Sequence, residues 1–147
     1  MSMRLTTPPS EIAEFFEQHI QRLERAIVRN MCYVGERCVN TARTSHTYRD
    51  QTGNLSSSIG YAVSIDGNLV RCSSFQVVKQ GREGSVDGRE YVLDIISQYP
   101  KGIVLVVVAG KNYAAYVSDK GYDVIDSAET LAEALIPKFM KQLGFDV

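Results

Sequence analysis

Residues 55–72 read LSSSIGYAVSIDGNLVRC, and this stretch decides the fold. From Leu55 to Ile65 every second position except Ser57 carries an apolar side chain, and small residues stand between them. Such period-two alternation is typical of a β-strand with one apolar face. Asp66 and Gly67 follow directly, and both residue types tolerate a positive φ. The stretch therefore predicts a strand that ends in a tight hairpin turn.

The other arm of this hairpin is expected over about residues 69–78. A two-residue turn sets the pairing register, because it fixes which residues stand opposite each other. In that register Val63 faces Val70, and Tyr61 faces Cys72. Two antiparallel strands with an apolar face are therefore the predicted centre of the domain.

A long amphipathic helix is predicted upstream of the hairpin. Thr7 can cap its start and Pro8 suits its first turn. Its apolar positions follow steps of three and four, which keep them on one stripe: Ile12, Phe16, Ile20, Leu23, Ile27, Met31, Val34, Cys38 and Ala42. A helix unbroken to about residue 44 would be about 55 Å long, and Gly35 marks a kink or a close contact. Residues 1–9 are expected to be flexible.

Between the hairpin and the last helix the sequence predicts four more elements. A short helix is expected from about Arg89 to Gln98. The β-branched run Ile103–Ala109 is expected to be a central strand covered on both faces. A helical turn over Asn112–Asp119 and a strand over Tyr122–Ile125 are expected to follow. These elements, with the hairpin, predict a sheet of about four strands.

The last helix is expected to begin at Asp126 or Ser127, with Glu129 completing a capping box on Asp126. Pro137 should kink it or end its regular part, and Gly144 suits a C-terminal stop. Its predicted buried side consists of Leu131, Leu135, Phe139 and Leu143. The fold class is thus a single α+β domain over residues 1–147, with a long N-terminal and a C-terminal helix packed on one face of a mainly antiparallel sheet.

Two polar, glycine-containing segments flank the predicted hairpin, at about residues 44–54 and 79–88. Both are expected to be mobile loops, because glycine loosens the backbone and polar side chains favour solvent. Tyrosine and arginine are also frequent anchors of protein interfaces. The candidate interface residues are accordingly Tyr48, Arg49, Asp50, Gln80, Arg82 and Glu83.

Composition excludes several functional classes. The chain has 147 residues, is 44% hydrophobic and 22% charged, and carries a formal net charge of -1, as is ordinary for a globular domain. A specific nucleic-acid partner is not expected, since such proteins usually carry a basic excess. No apolar run is long enough to cross a membrane. The three cysteines, an odd number, argue against a closed disulfide framework and for reduced thiols.

The sequence contains few residues that could form a catalytic site. Only two histidines occur, His19 and His46, and no local pattern pairs either one with a cysteine nucleophile. Asp119, Asp123 and Asp126 are close in sequence, but their spacing does not match a calcium loop. No catalytic residue, metal ligand or cofactor site is predicted, and the chain is not expected to be an enzyme.

Two short stretches resemble a known family. Residues 50–59, DQTGNLSSSI, and residues 107–117, VVAGKNYAAYV, are similar to motifs of the tail-completion, or head–tail connector, proteins of long-tailed bacteriophages. In that family a T-G-x-L-x-x-S-I segment follows a long N-terminal helix, and an N-Y-A-x-Y-V segment comes later. The similarity in order and spacing extends from about residue 10 to 144. Residues 118–124 depart from the usual pattern, so the position within the neck stays open among completion protein, terminator and adaptor.

The resemblance implies a non-enzymatic virion protein that assembles in the cytoplasm of a bacterial host. Its partners would be further copies of itself in a ring, the portal or adaptor, and tail proteins. Two alternatives remain. One is a small ligand-binding domain or enzyme with a pocket under the Ile103–Ala109 strand, and the other is a peptide-binding adaptor that uses the edge of the Leu55–Ile65 strand.

Overall fold

A computed structural model describes residues 8–44, 53–110 and 125–145. The helices and strands in chain order are α1 (Pro9–Thr44), α2 (Asn54–Ser57), β1 (Gly60–Ile65), β2 (Asn68–Cys72), α3 (Arg82–Ile96), β3 (Ile103–Val108) and α4 (Asp126–Gln142). The predicted α+β class, the long N-terminal helix, the C-terminal helix and the antiparallel sheet are confirmed. The helical turn expected over Asn112–Asp119 lies outside the described residues.

The sheet has three strands in the described part of the chain, in the order β2-β1-β3, and both pairs are antiparallel. The expectation of about four strands is slightly too high, and the strand expected over Tyr122–Ile125 lies, apart from Ile125, outside the described residues. The central strand is β1, whereas Ile103–Ala109 was expected at the centre. Because β1 is paired on both sides, its edge is not open to a peptide.

Helices cover both faces of the sheet, and the expectation of helices on one face is wrong. On one face α1 packs against β1 and α4 packs against α1, and Tyr61 and Val63 of β1 share one buried cluster with Val34 of α1. On the other face α3 packs against Ala62 and the apolar side chains of β3. The small residues between the larger apolar ones of β1 make room for this second layer. A Cβ built at Gly60, for example, would lie only 2.4 Å from the Phe75 ring.

The hairpin turn forms as predicted, with φ of 50° at Asp66 and 80° at Gly67. The predicted pairing register is correct for the two pairs next to the turn and wrong by one residue for the pairs further along the strands. Ser64 pairs with Leu69, but Val63 pairs with Arg71 and Ala62 with Cys72, because a bulge intervenes between Val63 and Ser64. An extra residue in one strand shifts every later pair and turns its side chains to the opposite face.

Both predicted hairpin strands are shorter than expected. The residues before Gly60 form the helical turn α2 and not a strand. The return strand ends at Cys72 and does not reach Val78. Phe75 lies beyond it with a φ of 48°, and its side chain is buried in the core under α3. A left-handed backbone at a bulky residue ends regular strand geometry, so the chain leaves the sheet here.

The long helix α1 is confirmed over 36 residues, about 54 Å. The predicted apolar stripe is buried only in its second half, at Val34, Cys38 and Ala42. Gly35 allows a close contact: a Cβ there would lie 2.4 Å from the Tyr61 ring. Among the described residues, no helix combines the length and the apolar character needed to span a membrane.

The C-terminal end of α4 agrees with the prediction, whereas the predicted N-terminal cap does not form. The N-cap position is Ile125, which has no side chain able to cap, so the capping box predicted at Asp126 is wrong. The helix continues through Pro137 to Gln142, although Pro137 was expected to kink it or end its regular part. Its C-terminal stop at Gly144 is confirmed by a φ of 94° and by the bond from Phe145 N to Met140 O at 3.0 Å.

Candidate functional site

The structure describes three of the six candidate interface residues. Tyr48, Arg49 and Asp50 lie outside the described residues. Gln80 is exposed in a turn, and Arg82 and Glu83 are exposed in the first turn of α3. The mobile loop predicted over residues 79–88 is therefore wrong from Arg82 onward, because the helix predicted from Arg89 begins seven residues earlier, at Arg82.

Glycines make this early helix start possible, because they allow α3 to lie directly against the α2 backbone. A Cβ at Gly84 would be 1.9 Å from the carbonyl oxygen of Asn54. A Cβ at Gly88 would be 2.3 Å from the carbonyl oxygen of Ser58. Gly81, Gly84 and Gly88 follow steps of three and four, so they share one helix face. That spacing was the available sign that these glycines pack and do not form a loop.

Side-chain hydrogen bonds join α2 to the first turn of α3 and to Val78, which precedes that helix. The Asn54 Oδ1 atom accepts a bond from the Gly84 amide at 3.1 Å, which satisfies a donor in the first turn of α3. The Ser57 hydroxyl accepts from the Val78 amide at 2.7 Å and lies 3.3 Å from the Val78 carbonyl oxygen. We call the contact between residues 53–58 and residues 78–88 the α2–α3 junction.

The described part of the T-G-x-L-x-x-S-I motif lies in this junction. Gly53 is left-handed, with a φ of 80°, and a Cβ there would lie 1.9 Å from the Val78 carbonyl oxygen. Leu55 is 5% exposed, and Ser58 and Ile59 are fully buried. Each of these residues has a structural role. Gly53 allows the left-handed backbone, Leu55 and Ile59 pack in the core, and Ser58 forms hydrogen bonds.

Ser58 connects the two motifs. Its hydroxyl donates to the Leu55 carbonyl at 2.6 Å and accepts from the Gly110 amide at 2.7 Å. Gly110 belongs to the second motif, 52 residues further along the chain. The remainder of that motif, from Lys111 onward, lies outside the described residues. The two stretches that carry the family resemblance thus meet at one buried hydroxyl.

Arg43 fixes the end of α1 to the same region. Its Nε donates to the Ser56 carbonyl at 3.2 Å, and its Nη2 donates to the Ile59 carbonyl at 3.0 Å and the Gln76 carbonyl at 3.4 Å. A guanidinium can satisfy several carbonyls at once because it carries five donors in a rigid plane. Sequence analysis did not identify Arg43, since nothing local marks a distant carbonyl as its acceptor.

A second polar cluster lies on the α1 side of the sheet. The Tyr61 hydroxyl donates to Glu36 Oε1 at 2.8 Å and accepts from Arg71 Nε at 3.2 Å. Burial, and then the bond to Glu36, raises the pKa of Tyr61 to about 12. The phenol is therefore protonated at neutral pH and cannot act there as a general base.

The groups that could support catalysis are dispersed. His19 is exposed in the first half of α1, and His46 lies outside the described residues. Burial raises the pKa of all three cysteines, which disfavours the nucleophilic thiolate. Within residues 8–44, 53–110 and 125–145, no group of three His, Cys, Asp or Glu side chains could hold a metal ion.

One apolar cavity of about 250 Å³ lies between β3, α1 and α4. It is lined by Cys38, Leu105, Val107, Ile125, Ala128, Glu129, Ala132 and Ile136. Among the described residues of this lining, Glu129 is the single charged one. Ligand sites usually exceed 300 Å³, so only a small apolar molecule would fit.

Comparison with known proteins finds no family model, no curated protein and no solved structure that matches the chain. What the protein does is therefore inferred from its own residues and their geometry.

Proposed function

We propose that this chain is a structural protein of the head–tail neck of a phage or prophage. It would act by assembling into a ring and by contacting portal or adaptor proteins and tail proteins. The observation that carries the proposal is the Ser58–Gly110 hydrogen bond of 2.7 Å, which joins the two family-like motifs. In the antiparallel β1–β3 pair Gly60 lies opposite Val108, so the end of the first motif and the start of the second pack together as one buried unit, which is the arrangement expected of structural motifs.

The junction also supplies a surface suited to a partner. Gln80, Arg82 and Glu83 are exposed, while the glycines beside them are packed against α2. A rigid backbone that displays charged side chains lowers the entropy lost when a partner binds. The mobility predicted for residues 79–88 does not apply to Arg82 and Glu83, because both are helical.

Complementation in the phage or induced prophage that encodes the chain tests this function. The gene is inactivated, and wild type or the double variant Arg82→Glu/Glu83→Arg is supplied from a plasmid. We expect the variant to fold, because both side chains are exposed, and to leave filled heads and complete tails unjoined in electron micrographs. Asp94→Arg, at an exposed position later in α3, is the matched control and should restore joining.

Two results would contradict the proposal. Normal particles from the strain without the gene would show that the chain is not needed for joining. Normal particles from the double variant, together with full restoration by wild type, would remove Arg82 and Glu83 from the interface. Thermal unfolding of each purified variant shows whether a failure to join reflects loss of the fold.

The cavity favours a second candidate, a domain that binds a small apolar ligand. Leu105 and Val107 of β3 line it, which is where the sequence placed the alternative pocket. The described lining residues are mostly apolar, so binding of an apolar molecule is better supported than turnover.

A further inference from the structure

Helix α1 carries a row of arginines on its solvent-facing side. The members of this row are exposed and, at about 100° per residue, fall within one sector of about 120°: Arg22, Arg25, Arg29 and Arg37. Residues of α1 that pack against α4 and the sheet, such as Ile27 and Val34, lie on the opposite side of the helix. We call this sector the arginine face, and it extends about 22 Å along α1.

Three of these arginines have no partner among the described residues. Within residues 8–44, 53–110 and 125–145, Arg22, Arg25 and Arg29 make no hydrogen bond or ion pair. None of the three has a carboxylate three or four positions away, where an ion pair on the helix surface would form. Arg25 and Arg29 instead stand four residues apart, where like charges repel and disfavour the helix. A repulsive row without an internal partner indicates an anionic partner outside the domain.

Positive and negative charges lie on different sides of the domain. Between Arg22 and Arg37, Glu36 is the acidic residue of the sector, and it accepts a hydrogen bond from the Tyr61 hydroxyl at 2.8 Å. Arg71 of β2 donates to the same hydroxyl at 3.2 Å and offsets the charge of Glu36. On the other face of the sheet, α3 carries acidic residues at steps of four and three: Glu83, Asp87, Glu90 and Asp94. The formal net charge of -1 therefore combines a basic side with an acidic side.

The chemistry of the arginine face favours a phosphate backbone. A guanidinium is planar and offers paired N–H donors to phosphate oxygens. The core of a protein–protein interface is depleted of charged residues, whereas interfaces with nucleic acid are more polar and more positively charged. Tyr33, the aromatic residue of the sector, already packs against Phe139 and beneath Arg37. A linear row of cations fits a linear polymer that carries one negative charge per phosphate.

We infer that the arginine face is a nucleic-acid contact, which binds the phosphate backbone of a DNA duplex without reading its bases. Such a contact is independent of sequence and depends on the local row of cations. The inference goes beyond the proposed neck function and does not depend on it, because DNA binding is measured on the purified chain and joining is measured in particles.

Fluorescence anisotropy of a short labelled DNA duplex, titrated with the full chain, tests the contact. Each neutralised phosphate contributes about -0.9 to the slope of log K against log salt concentration, so four arginines predict a slope of about -3.6. The triple variant Arg22→Gln/Arg25→Gln/Arg29→Gln should reduce the slope to about -0.9 and weaken binding at least ~30-fold at about 50 mM salt. The single variant Arg25→Gln should reduce the slope by about 0.9. Glutamine is a good helix former, so α1 should persist, which circular dichroism checks.

A matched control separates this face from the charge of the whole chain. Lys101→Gln/Lys138→Gln/Lys141→Gln removes the same charge at exposed positions outside α1, and should weaken binding less than ~5-fold. A second duplex of unrelated sequence should bind within ~3-fold of the first, because backbone contacts carry no sequence information.

Three results would overturn the inference. One is a wild-type chain that binds neither duplex at about 50 mM salt and up to about 0.1 mM protein. Another is equal weakening by the arginine and the lysine triple variants. The third is binding to vesicles of phosphatidylserine and phosphatidylcholine without binding to either duplex, which would assign the face to a membrane surface.

Discussion

Gly84→Ala distinguishes a packed helix from a mobile loop. In a solvated helix this change stabilises the protein by roughly 1 kcal/mol, because alanine is the better helix former. In the α2–α3 junction the new Cβ would lie 1.9 Å from the Asn54 carbonyl oxygen, whereas ordinary contacts begin near 3.4 Å. The obstacle is backbone and cannot rotate away. Helix α3 must therefore move by roughly 1.5 Å, the difference between these two distances.

The expected cost follows from three contributions. Overpacking of this kind costs about 1–3 kcal/mol. Moving α3 also breaks the bond from the Gly84 amide to Asn54, worth about 1 kcal/mol. The gain in helix propensity offsets about 1 kcal/mol. We expect a net loss of about 1–3 kcal/mol in the free energy of unfolding, which lowers Tm by about 3–10 °C.

Thermal and urea unfolding followed by circular dichroism measure this loss. Glu90→Ala is the matched control, since it adds no atoms and replaces an exposed side chain on the same helix. It should stay within about 0.5 kcal/mol of wild type. A Gly84→Ala protein as stable as wild type, or more stable, would refute the packed junction and favour a solvated segment.

Two further predictions concern the rest of the domain. The pKa of Tyr61 is raised to about 12 in the folded protein, so between about pH 10 and 12 the unfolded chain binds fewer protons than the folded one. The stability of the wild type therefore falls as the pH rises through this range. Tyr61→Phe removes the titrating group, so the stability of the variant should fall less steeply. Equal slopes in urea titrations across this range would contradict it. For the ligand-binding alternative, Ala132→Phe should fill the cavity and weaken binding of an apolar fluorescent dye at least ~10-fold, while Ala134→Phe, at an exposed neighbour, should not. Dye binding that responds equally to both changes would exclude this cavity.

The sequence correctly predicted those elements that depend on a few neighbouring residues of the chain. The stripe from Ile12 to Ala42 fixes α1, the Asp66-Gly67 pair fixes the hairpin turn, and the β-branched run from Ile103 fixes β3. Gly144 marks the end of α4 because a left-handed residue is needed there. Each of these follows from the conformational preference of a few adjacent residues.

The remaining features depend on contacts between distant residues. Glycine serves both mobile loops and close backbone approach, so the glycines of α3 could be interpreted only once α2 was in place. Small residues such as Ala62 and Ser64 suggested a solvent-facing side of β1, yet both are fully buried. The bulge beside Val63 shifts the register, although the turn residues themselves gave the correct turn. Tertiary packing overrode the local signal in all three cases.

The residues that carry the family resemblance limit where partner contacts can be. Gly53, Leu55, Ser58 and Ile59 are buried, and their side chains or backbones are used within the junction and the core. A buried side chain cannot contact another subunit unless the domain opens, and opening would expose the Ser58 hydrogen bonds to water. If the chain does assemble at a neck, these four residues do not supply the specificity, and exposed residues such as Arg82 are the candidates for it. Substitutions at these four residues should then reduce stability and assembly together, whereas charge reversal at Arg82 should reduce assembly alone.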